Sequence, residues 1–336
     1  MRIAGERGFD LKGSGAAPLA PDDPPQIGPF PLVGVLGSGG MGRVYLGAAP
    51  GRYTAVKQVL PALADDQDFL RHFGHELDNL AKLPAGVSAQ LLATDRTARP
   101  PWFATEYIPG LTLSDAVELH GGSLPSSALW LLLRETASCL RAVHARETVH
   151  RDLKPSNVML TRDGLTLIDF GIARAVDQSR VTKTGVVVGT PAYMAPEQAT
   201  GVPQLSAAAD VFSLGCLLVY AATGRPLFGG GAGLDLLYRI VHDDADLEAV
   251  RNVDAALATV LESCLAKDPA ARPTAADLLE LAQNHLVHAS PAWPQVVTDR
   301  IREREAFAAT APERQEASAS APAVRTPIMA GPEPVL

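Results

Sequence analysis

Cysteine, long apolar runs and clustered basic residues are all scarce in this 336-residue sequence. Its three cysteines, Cys139, Cys216 and Cys264, each lie in an apolar helical pattern, so neither a disulfide framework nor a metal cluster is indicated. We expect reduced core thiols. The formal net charge is -8 and no run of five or more basic residues occurs, which argues against nucleic acid or an anionic membrane as the main partner.

The longest apolar stretch, residues 211–223, is too short to cross a bilayer and directly follows Asp210. It predicts a buried helix, and we expect no membrane span. The N-terminal residues lack the continuous apolar segment of a signal peptide, so a cytoplasmic location is expected. Hydrophobic residues make up 47% of the chain and charged residues 20%, which is ordinary usage for a folded protein.

Periodicity divides the chain into a strand-rich part and a helical part. Five short apolar runs between residues 28 and 106 predict five strands, interrupted by one amphipathic helix over residues 66–82. Glycine, proline and alanine without periodicity predict a flexible lead-in over residues 1–27 and a disordered tail over residues 287–336. Further helices are predicted over residues 112–119, 126–146, 207–223, 234–242, 254–265 and 274–286.

Residues 37–44, GSGGMGRV, form a glycine-rich loop between two predicted strands. Missing side chains let backbone N–H groups approach phosphate oxygens, although a glycine-rich turn on its own is more often just a turn. No Lys-Ser/Thr pair follows the loop, which argues against a P-loop NTPase. Because the loop opens no helix, a dinucleotide-binding fold is disfavoured too.

Lys57 lies on the next predicted strand, where its ammonium would reach bound phosphates. Taken alone, a lysine at the edge of a sheet that points to solvent is the simpler interpretation. Glu76 lies on the only helix predicted in the strand-rich part and is expected to pair with Lys57, holding it toward the phosphates. Two opposite charges at matched positions favour the binding role.

The string HRDLKPSNVML, residues 150–160, is the most specific signal in the chain. Asp152 is placed to accept the proton of an attacking hydroxyl, Lys154 to neutralise the phosphoryl group in flight, and Asn157 to bind a divalent metal. Asp169, in LIDFG at the end of an apolar strand, supplies a further hard oxygen ligand that suits magnesium on nucleotide phosphates.

With GTPAYMAPEQA and DVFSLGCLL, these motifs resemble the eukaryotic-type serine/threonine protein kinases in their bacterial, Hanks-type branch, most of all the actinobacterial members. The resemblance covers about residues 28–286 and implies an α+β, bilobal protein-kinase-like fold. A small antiparallel β lobe with one helix, residues 28–106, would be joined by a hinge, residues 106–110, to a larger and mostly α-helical lobe, residues 111–286. Two departures, the missing His-Pro-Asn turn in LPAGVSAQLL and Phe212 in place of tryptophan, fall at structural sites.

The resemblance also implies which residues bind ATP. Asn157 and Asp169 would hold Mg²⁺, for which Mn²⁺ is a substitute. Thr105 would be the gatekeeper residue, and the backbone of Glu106 and Ile108 would form the hinge hydrogen bonds to adenine. Catalysis would rest on Asp152, Lys154, Asn157 and Lys57. Nucleotide contacts would come from Leu36, Gly37, Ser38, Gly39, Gly40, Gly42, Val44, Ala55, Lys57, Glu76, Thr105, Glu106, Ile108, Met159 and Asp169.

The segment from Asp169 to Glu197 resembles a kinase activation segment, a platform for an extended polypeptide. Thr190 within it, together with Lys154, resembles the Ser/Thr class rather than the tyrosine class. Glu197 is expected to form an internal ion pair with Arg272.

Two threonines of that segment, Thr182 and Thr184, occupy positions where similar bacterial kinases autophosphorylate. A phosphate there adds about -1.5 to -2 charge, and Arg151 is placed to receive it. The alternative is that both are merely exposed loop threonines.

The resemblance therefore implies a kinase that transfers the γ-phosphoryl group of ATP to serine and threonine hydroxyls of protein substrates, with a homodimer for trans-autophosphorylation. Two other functions stay open at this point. An inactive kinase-like scaffold is disfavoured by the complete set of catalytic residues. A small-molecule phosphotransferase of aminoglycoside type is disfavoured by the APE segment and by DVFSLGCLL.

Overall fold

Two lobes, one built mainly from strands and one from helices, meet after Glu106 in the computed structural model. The expected α+β, bilobal architecture is confirmed. The structure describes residues 10–40, 42–84, 86–170, 191–231, 233–287 and 292–312.

The smaller lobe is organised around a six-stranded sheet in which neighbouring strands run antiparallel. Its spatial order is β1-β2-β3-β4-β6-β5. The five predicted strands are present, and β1 adds a short edge. Apolar residues at alternate positions, such as Tyr45, Val56 and Trp102, build a buried cluster on one face. The strands are β1 (Gln26–Ile27), β2 (Phe30–Gly39), β3 (Gly42–Ala49), β4 (Arg52–Val59), β5 (Leu91–Asp95) and β6 (Trp102–Glu106).

Helix α1 (Gln67–Leu80) follows the sheet's first four strands, where the amphipathic pattern predicted it. It begins at Asp66, whose carboxylate accepts hydrogen bonds at 3.0 Å from the N–H groups of Asp68 and Phe69. Such a cap satisfies N–H groups that have no partner inside the helix. Phe69 and Phe73 on one face are fully buried, which anchors the helix in the core.

The larger lobe consists of helices packed around α3 and α5, with a small sheet of β7 (Leu111–Thr112), β8 (Val158–Thr161) and β9 (Gly164–Leu167) near the lobe boundary. Helix α5 contains the longest apolar stretch, is buried on nearly every side and ends at Gly224, whose φ of 69° suits glycine. The predicted buried helix is therefore confirmed. The helices are α2 (Leu113–Leu119), α3 (Ser126–His144), α4 (Pro196–Ala199), α5 (Ala208–Thr223), α6 (Leu234–His242), α7 (Glu248–Val253), α8 (Ala255–Cys264), α9 (Ala275–His285) and α10 (Gln295–Ala308).

Cys139, Cys216 and Cys264 are free and buried, as the apolar pattern predicted. Burial raises the pKa of the Cys139 and Cys264 thiols to about 12. Both thiols are therefore protonated at neutral pH. Within the described ranges, every helix is too short or too polar to traverse a bilayer.

Residues 10–27 differ from the predicted flexible lead-in. Ala17 exchanges two 2.8 Å backbone hydrogen bonds with Val35 of β2, and Ser14 is 1% exposed. The Tyr107 hydroxyl donates to the Ser14 carbonyl at 2.6 Å. The segment is rich in glycine and proline and has no apolar periodicity, which predicted flexibility. It is instead held by hydrogen bonds to backbone groups, which composition cannot predict.

Residues 292–312 likewise differ from the predicted disordered tail. Trp293 donates to the Thr161 carbonyl at 3.1 Å, and Val297 and Ile301 are buried in the core of the larger lobe. At the other end of α10, Phe307 is buried in a cluster of the smaller lobe. The helix carries few apolar residues, but they share one face and find a partner surface on each lobe, which offsets the entropy of ordering the segment.

Candidate active site

A cleft of about 400 Å³ lies between the lobes. Its walls come from the β2–β3 turn, β4, the residues after β6 and the loop between α3 and β8. Of the predicted catalytic and nucleotide-binding residues, Glu76 alone does not line it. Those that do are Leu36, Gly37, Ser38, Gly39, Gly40, Gly42, Val44, Ala55, Lys57, Thr105, Glu106, Ile108, Asp152, Lys154, Asn157, Met159 and Asp169.

The glycine loop is the turn between β2 and β3, whose pairing brings Gly37 opposite Val44. Gly37 and Gly39 have no neighbour within 4 Å of a Cβ position, so the loop is open above the cleft. Gly42 differs, because a Cβ there would overlap the carbonyl oxygen of Gln58. Gly37 and Gly39 therefore leave room for a ligand, whereas Gly42 is required by the fold.

Lys57 is directed into the cleft by its place on β4, where it pairs with Val44 on one side and Phe103 on the other. Its ammonium lies 2.7 Å from Oδ2 of Asp169. Burial by itself would raise the pKa of the Asp169 carboxyl, but the charge and hydrogen bond of Lys57 outweigh it and hold that pKa below its usual value. Asp169 is thus ionised at neutral pH.

Glu76 does not pair with Lys57 as predicted. Its carboxylate accepts a hydrogen bond from Arg151 Nη1 at 3.1 Å, while Lys57 is paired with Asp169. Glu76 pairs with Arg151 and Lys57 pairs with Asp169, because the position of α1 relative to the sheet determines which cation lies near Glu76. Spacing along the chain does not fix that position.

The loop between α3 and β8 concentrates polar contacts on Asp152. Lys154 Nζ lies 2.7 Å from Oδ2 of Asp152, and Asn157 Nδ2 donates to the same oxygen at 3.0 Å and to the Asp152 carbonyl at 2.8 Å. Two donors on one carboxylate oxygen fix the orientation of the group. Asp152 therefore faces the cleft from a prearranged position.

Asp210 at the start of α5 fixes the backbone of this loop through hydrogen bonds. Its carboxylate is buried and accepts 2.8 Å hydrogen bonds from the N–H groups of His150 and Arg151 and from His144 Nε2. Arg151 has a φ of 68°, a conformation that non-glycine residues adopt only when their surroundings impose it. Complete burial lowers the pKa of His150, so its ring is neutral at pH 7.

Asn157 and Asp169 offer one amide and one carboxylate oxygen to a metal ion. Among the described residues, no group of three or more His, Cys, Asp and Glu side chains could hold a metal on its own. A site of this kind fits magnesium, which typically uses one or two protein carboxylates and completes its shell with phosphate oxygens and water. The donor set thus fits a metal that arrives with the nucleotide.

The end of the cleft where adenine is expected is formed by β6 and the residues after it. Thr105 pairs with Ala55 of β4 and is 9% exposed. Glu106 is fixed by two contacts with Gln90, since its N–H donates to the Gln90 carbonyl at 3.0 Å and its carboxylate accepts from the Gln90 N–H at 2.9 Å. Ile108 follows and lines the cleft.

Glu197 and Arg272 form the predicted ion pair, which is confirmed. Arg272 Nη1 and Nη2 lie 2.7 and 2.9 Å from the two carboxylate oxygens, and its side chain is fully buried. Its remaining donors reach the carbonyls of Ala266, Ala208 and Lys267. The predicted regulatory residues Thr182 and Thr184, like Thr190, lie outside the described residues.

Sequence reasoning missed three residues of the cleft that belong to the terminal segments, namely Ser14, Gly15 and Arg304. Arg304 follows Val297 and Ile301 at helical spacing, so it shares their inward face. That spacing was the available signal. Asp115 at the start of α2 was missed as well and lines the same cleft.

Comparison with known proteins agrees with this geometry. The protein kinase domain family matches residues 30–282. The serine/threonine-protein kinase AfsK of Streptomyces coelicolor is 42% identical over 269 residues, which cover 80% of this chain and 33% of that protein. The serine/threonine-protein kinase PknB of Mycobacterium tuberculosis is 35% identical over 286 residues, covering 81% of this chain and 45% of the relative.

Solved structures show the same likeness. The PknI kinase domain of Mycobacterium tuberculosis has 26% sequence identity and a TM-score of 0.62, over 77% of this chain and 97% of that one. The chain spans about a third to less than half of the length of the curated relatives named above. Since the family match covers most of the chain, the resemblance drawn from its motifs is confirmed, and the chain belongs to the protein kinase domain family.

Proposed function

We propose that this chain is a serine/threonine protein kinase that transfers the γ-phosphoryl group of ATP to hydroxyl groups of proteins. The observation that carries the proposal is the convergence of Lys57, Asp152, Asn157 and Asp169 on one cleft. Two cations, two carboxylates and an amide, counting Lys154, meet there. This set suits a triphosphate that must be neutralised, held and attacked in line.

Lys57 and Lys154 have separate electrostatic roles in this proposal. Lys57, on a rigid strand, offsets charge on the phosphates nearest the glycine loop. Lys154, 2.7 Å from Asp152, lies where the transferred group passes and offsets the charge that develops there. Asn157 and Asp169 would hold magnesium or manganese, and the ion would neutralise part of the phosphate charge.

Asp152 acts as the residue that orients the incoming hydroxyl and accepts its proton. The hydrogen bonds from Lys154 and Asn157 hold the carboxylate in place before the substrate arrives. Catalysis therefore comes mainly from positioning and electrostatics rather than from a covalent intermediate on the protein.

Lys57 must exchange partners for the reaction to start. In the structure it is bound to Asp169, whereas the proposed roles require Asp169 to face the metal and Lys57 to face phosphate. A triphosphate supplies the anionic partner that replaces the carboxylate. Glu76 then has to leave Arg151 if it is to hold Lys57 as predicted.

Protein substrates with serine or threonine, autophosphorylation at Thr182 or Thr184, a homodimer that performs it in trans, and a cytoplasmic location belong to the same proposal. The Glu197–Arg272 pair supports the protein-substrate assignment, because it anchors the end of the segment expected to hold a polypeptide. Similarity to kinases named for serine and threonine supports the choice of hydroxyl.

The test is transfer of label from γ-labelled ATP with magnesium, followed by identification of the phosphorylated residues. Wild type should label itself or a generic acceptor protein on serine or threonine. Lys57→Met should lose at least about 100-fold in rate, because it removes a preorganised positive charge from the phosphates. Lys82→Met, at an exposed lysine, serves as the matched control. Equal labelling by wild type and Lys57→Met would contradict the proposal.

A further inference from the structure

The two terminal segments meet beside the hinge end of the cleft. The Gly13 carbonyl accepts a 2.9 Å hydrogen bond from Arg304 Nη1 of α10, and the next residue, Ser14, is bonded to Tyr107 of the hinge. Both segments lie outside the region matched by the kinase family, which begins at residue 30 and ends at residue 282. The cleft therefore has a wall that the family domain does not supply.

Helix α10 is anchored on both lobes, which fixes the position of Arg304 between them. Val297 and Ile301 are at most 1% exposed in the core of the larger lobe. Phe307 stacks on Tyr53 of β4 with ring centroids 4.5 Å apart and lies edge-on to Tyr107 at 6.2 Å. Arg304 lies between these two anchors, on the inward face.

The guanidinium of Arg304 is held flat against the N-terminal segment. A Cβ at Gly15 would overlap it, and the φ of 78° at Gly15 also favours glycine. Among the described residues, the bond to Gly13 is the only hydrogen bond that the Arg304 side chain makes. Its remaining N–H groups are therefore available to a ligand, and Arg304 lines the nucleotide cleft.

We propose that Arg304 is an additional nucleotide-binding residue, which donates hydrogen bonds to acceptor atoms at the sugar and base end of ATP. It is placed at that end because the segment it contacts, residues 13–15, is bonded to the hinge residue Tyr107. The inference rests on the proposed function, since it assumes that ATP occupies the cleft.

Binding of the nucleotide and docking of α10 are linked by this contact. A ligand that gains affinity from Arg304 stabilises the docked helix by the same free energy. Nucleotide should therefore slow amide hydrogen exchange across Gln295–Ala308. A purely structural Arg304 would leave exchange in this helix insensitive to nucleotide.

The experiment measures dissociation constants of ATP with magnesium and of adenosine by calorimetry for wild type and Arg304→Ala. We expect a loss of about tenfold for both ligands, which corresponds to 1.4 kcal/mol. Arg302→Ala is the matched control, because Arg302 lies on the same helix with a side chain 62% exposed and paired with Asp299. It should leave both constants unchanged. Exchange of α10 should slow with ATP in wild type and not in Arg304→Ala.

Each of the other possible results contradicts either the proposed function or the proposed role of Arg304. If wild type binds neither ligand, the proposed function fails together with this inference. If wild type binds both and Arg304→Ala binds them equally well, the inference fails while the proposed function stands. A loss for ATP but not for adenosine would show that Arg304 acts on the phosphates, which contradicts the contact proposed here. Should Arg304→Ala not fold, Arg304→Gln and Arg304→Lys take its place, and wild-type affinity in both would overturn the inference.

Discussion

The two ends of the nucleotide cleft are built in different ways. At the phosphate end, Gly37 and Gly39 are surrounded by open space, and Lys57 and Asp169 hold each other by charge. At the hinge end, Tyr107 packs edge-on against the rings of Tyr53 and Phe307, and its hydroxyl donates a hydrogen bond to the Ser14 carbonyl.

This contrast separates two requirements of the reaction. In the proposed reaction the phosphate end exchanges ionic partners, so open space around its glycines and a small number of charges suit it. The hinge end has to keep the lobes in register, and buried apolar contacts serve that need without changing partners. Substitutions of the charged pair Lys57 and Asp169 should therefore alter rates, and substitutions of the packed rings at the hinge end should alter stability.

The largest expected effect is at the phosphate end. Asp169→Asn removes the negative charge of the proposed metal ligand and of the Lys57 partner, so phosphoryl transfer should fall by about 100- to 1000-fold. Initial rates with labelled ATP measure it. Asp163→Asn, at an exposed acid of the neighbouring loop, is the control and should keep the wild-type rate. A rate for Asp169→Asn within a few fold of wild type would remove the phosphate end from the mechanism.

Next in size is the loss at the hinge end. Phe307→Ala should lower the free energy of unfolding by about 3 kcal/mol, because Phe307 is 5% exposed and stacks on Tyr53. Urea denaturation followed by circular dichroism measures the change. Val296→Ala, at a side chain of the same helix that is 42% exposed, should cost far less. Equal losses for the two variants would mean that α10 is not docked on the smaller lobe.

The smallest effects distinguish two glycines of one loop. Gly42→Ala should destabilise the fold by about 1 to 3 kcal/mol, because its Cβ would overlap the Gln58 carbonyl. Gly37→Ala has free space and should change stability by no more than about 0.5 kcal/mol. Thermal unfolding of the two variants compares them directly. If Gly37→Ala proves the more damaging to stability, the open description of the phosphate end is wrong.

Most of the cleft could be predicted because its residues lie in short motifs on regular strands. Once β4 pairs with β3 and β6, the register alone places Lys57 opposite Val44 and Phe103. Similarly, Asp152, Lys154 and Asn157 lie within one tight loop, so their proximity follows from their spacing.

The rest depended on contacts between distant parts of the chain. The partner of Glu76 is set by where α1 lies over the sheet, and in the structure that partner is Arg151, while Lys57 pairs with Asp169. The terminal segments dock through a few apolar residues such as Phe307. Their overall composition predicts disorder, so this docking could not be read from composition. Tertiary packing determines both the partner of Glu76 and the docking of the terminal segments, and local propensity does not predict either.

The central claim is that Asp152 directs an incoming hydroxyl at ATP held between the lobes, and Asp152→Asn tests it most directly. ATP affinity and the rate of label transfer should be measured on the same preparation. We predict that the variant binds ATP within about threefold of wild type, while transfer falls by about 100- to 10,000-fold. Wild-type transfer by Asp152→Asn would contradict the account.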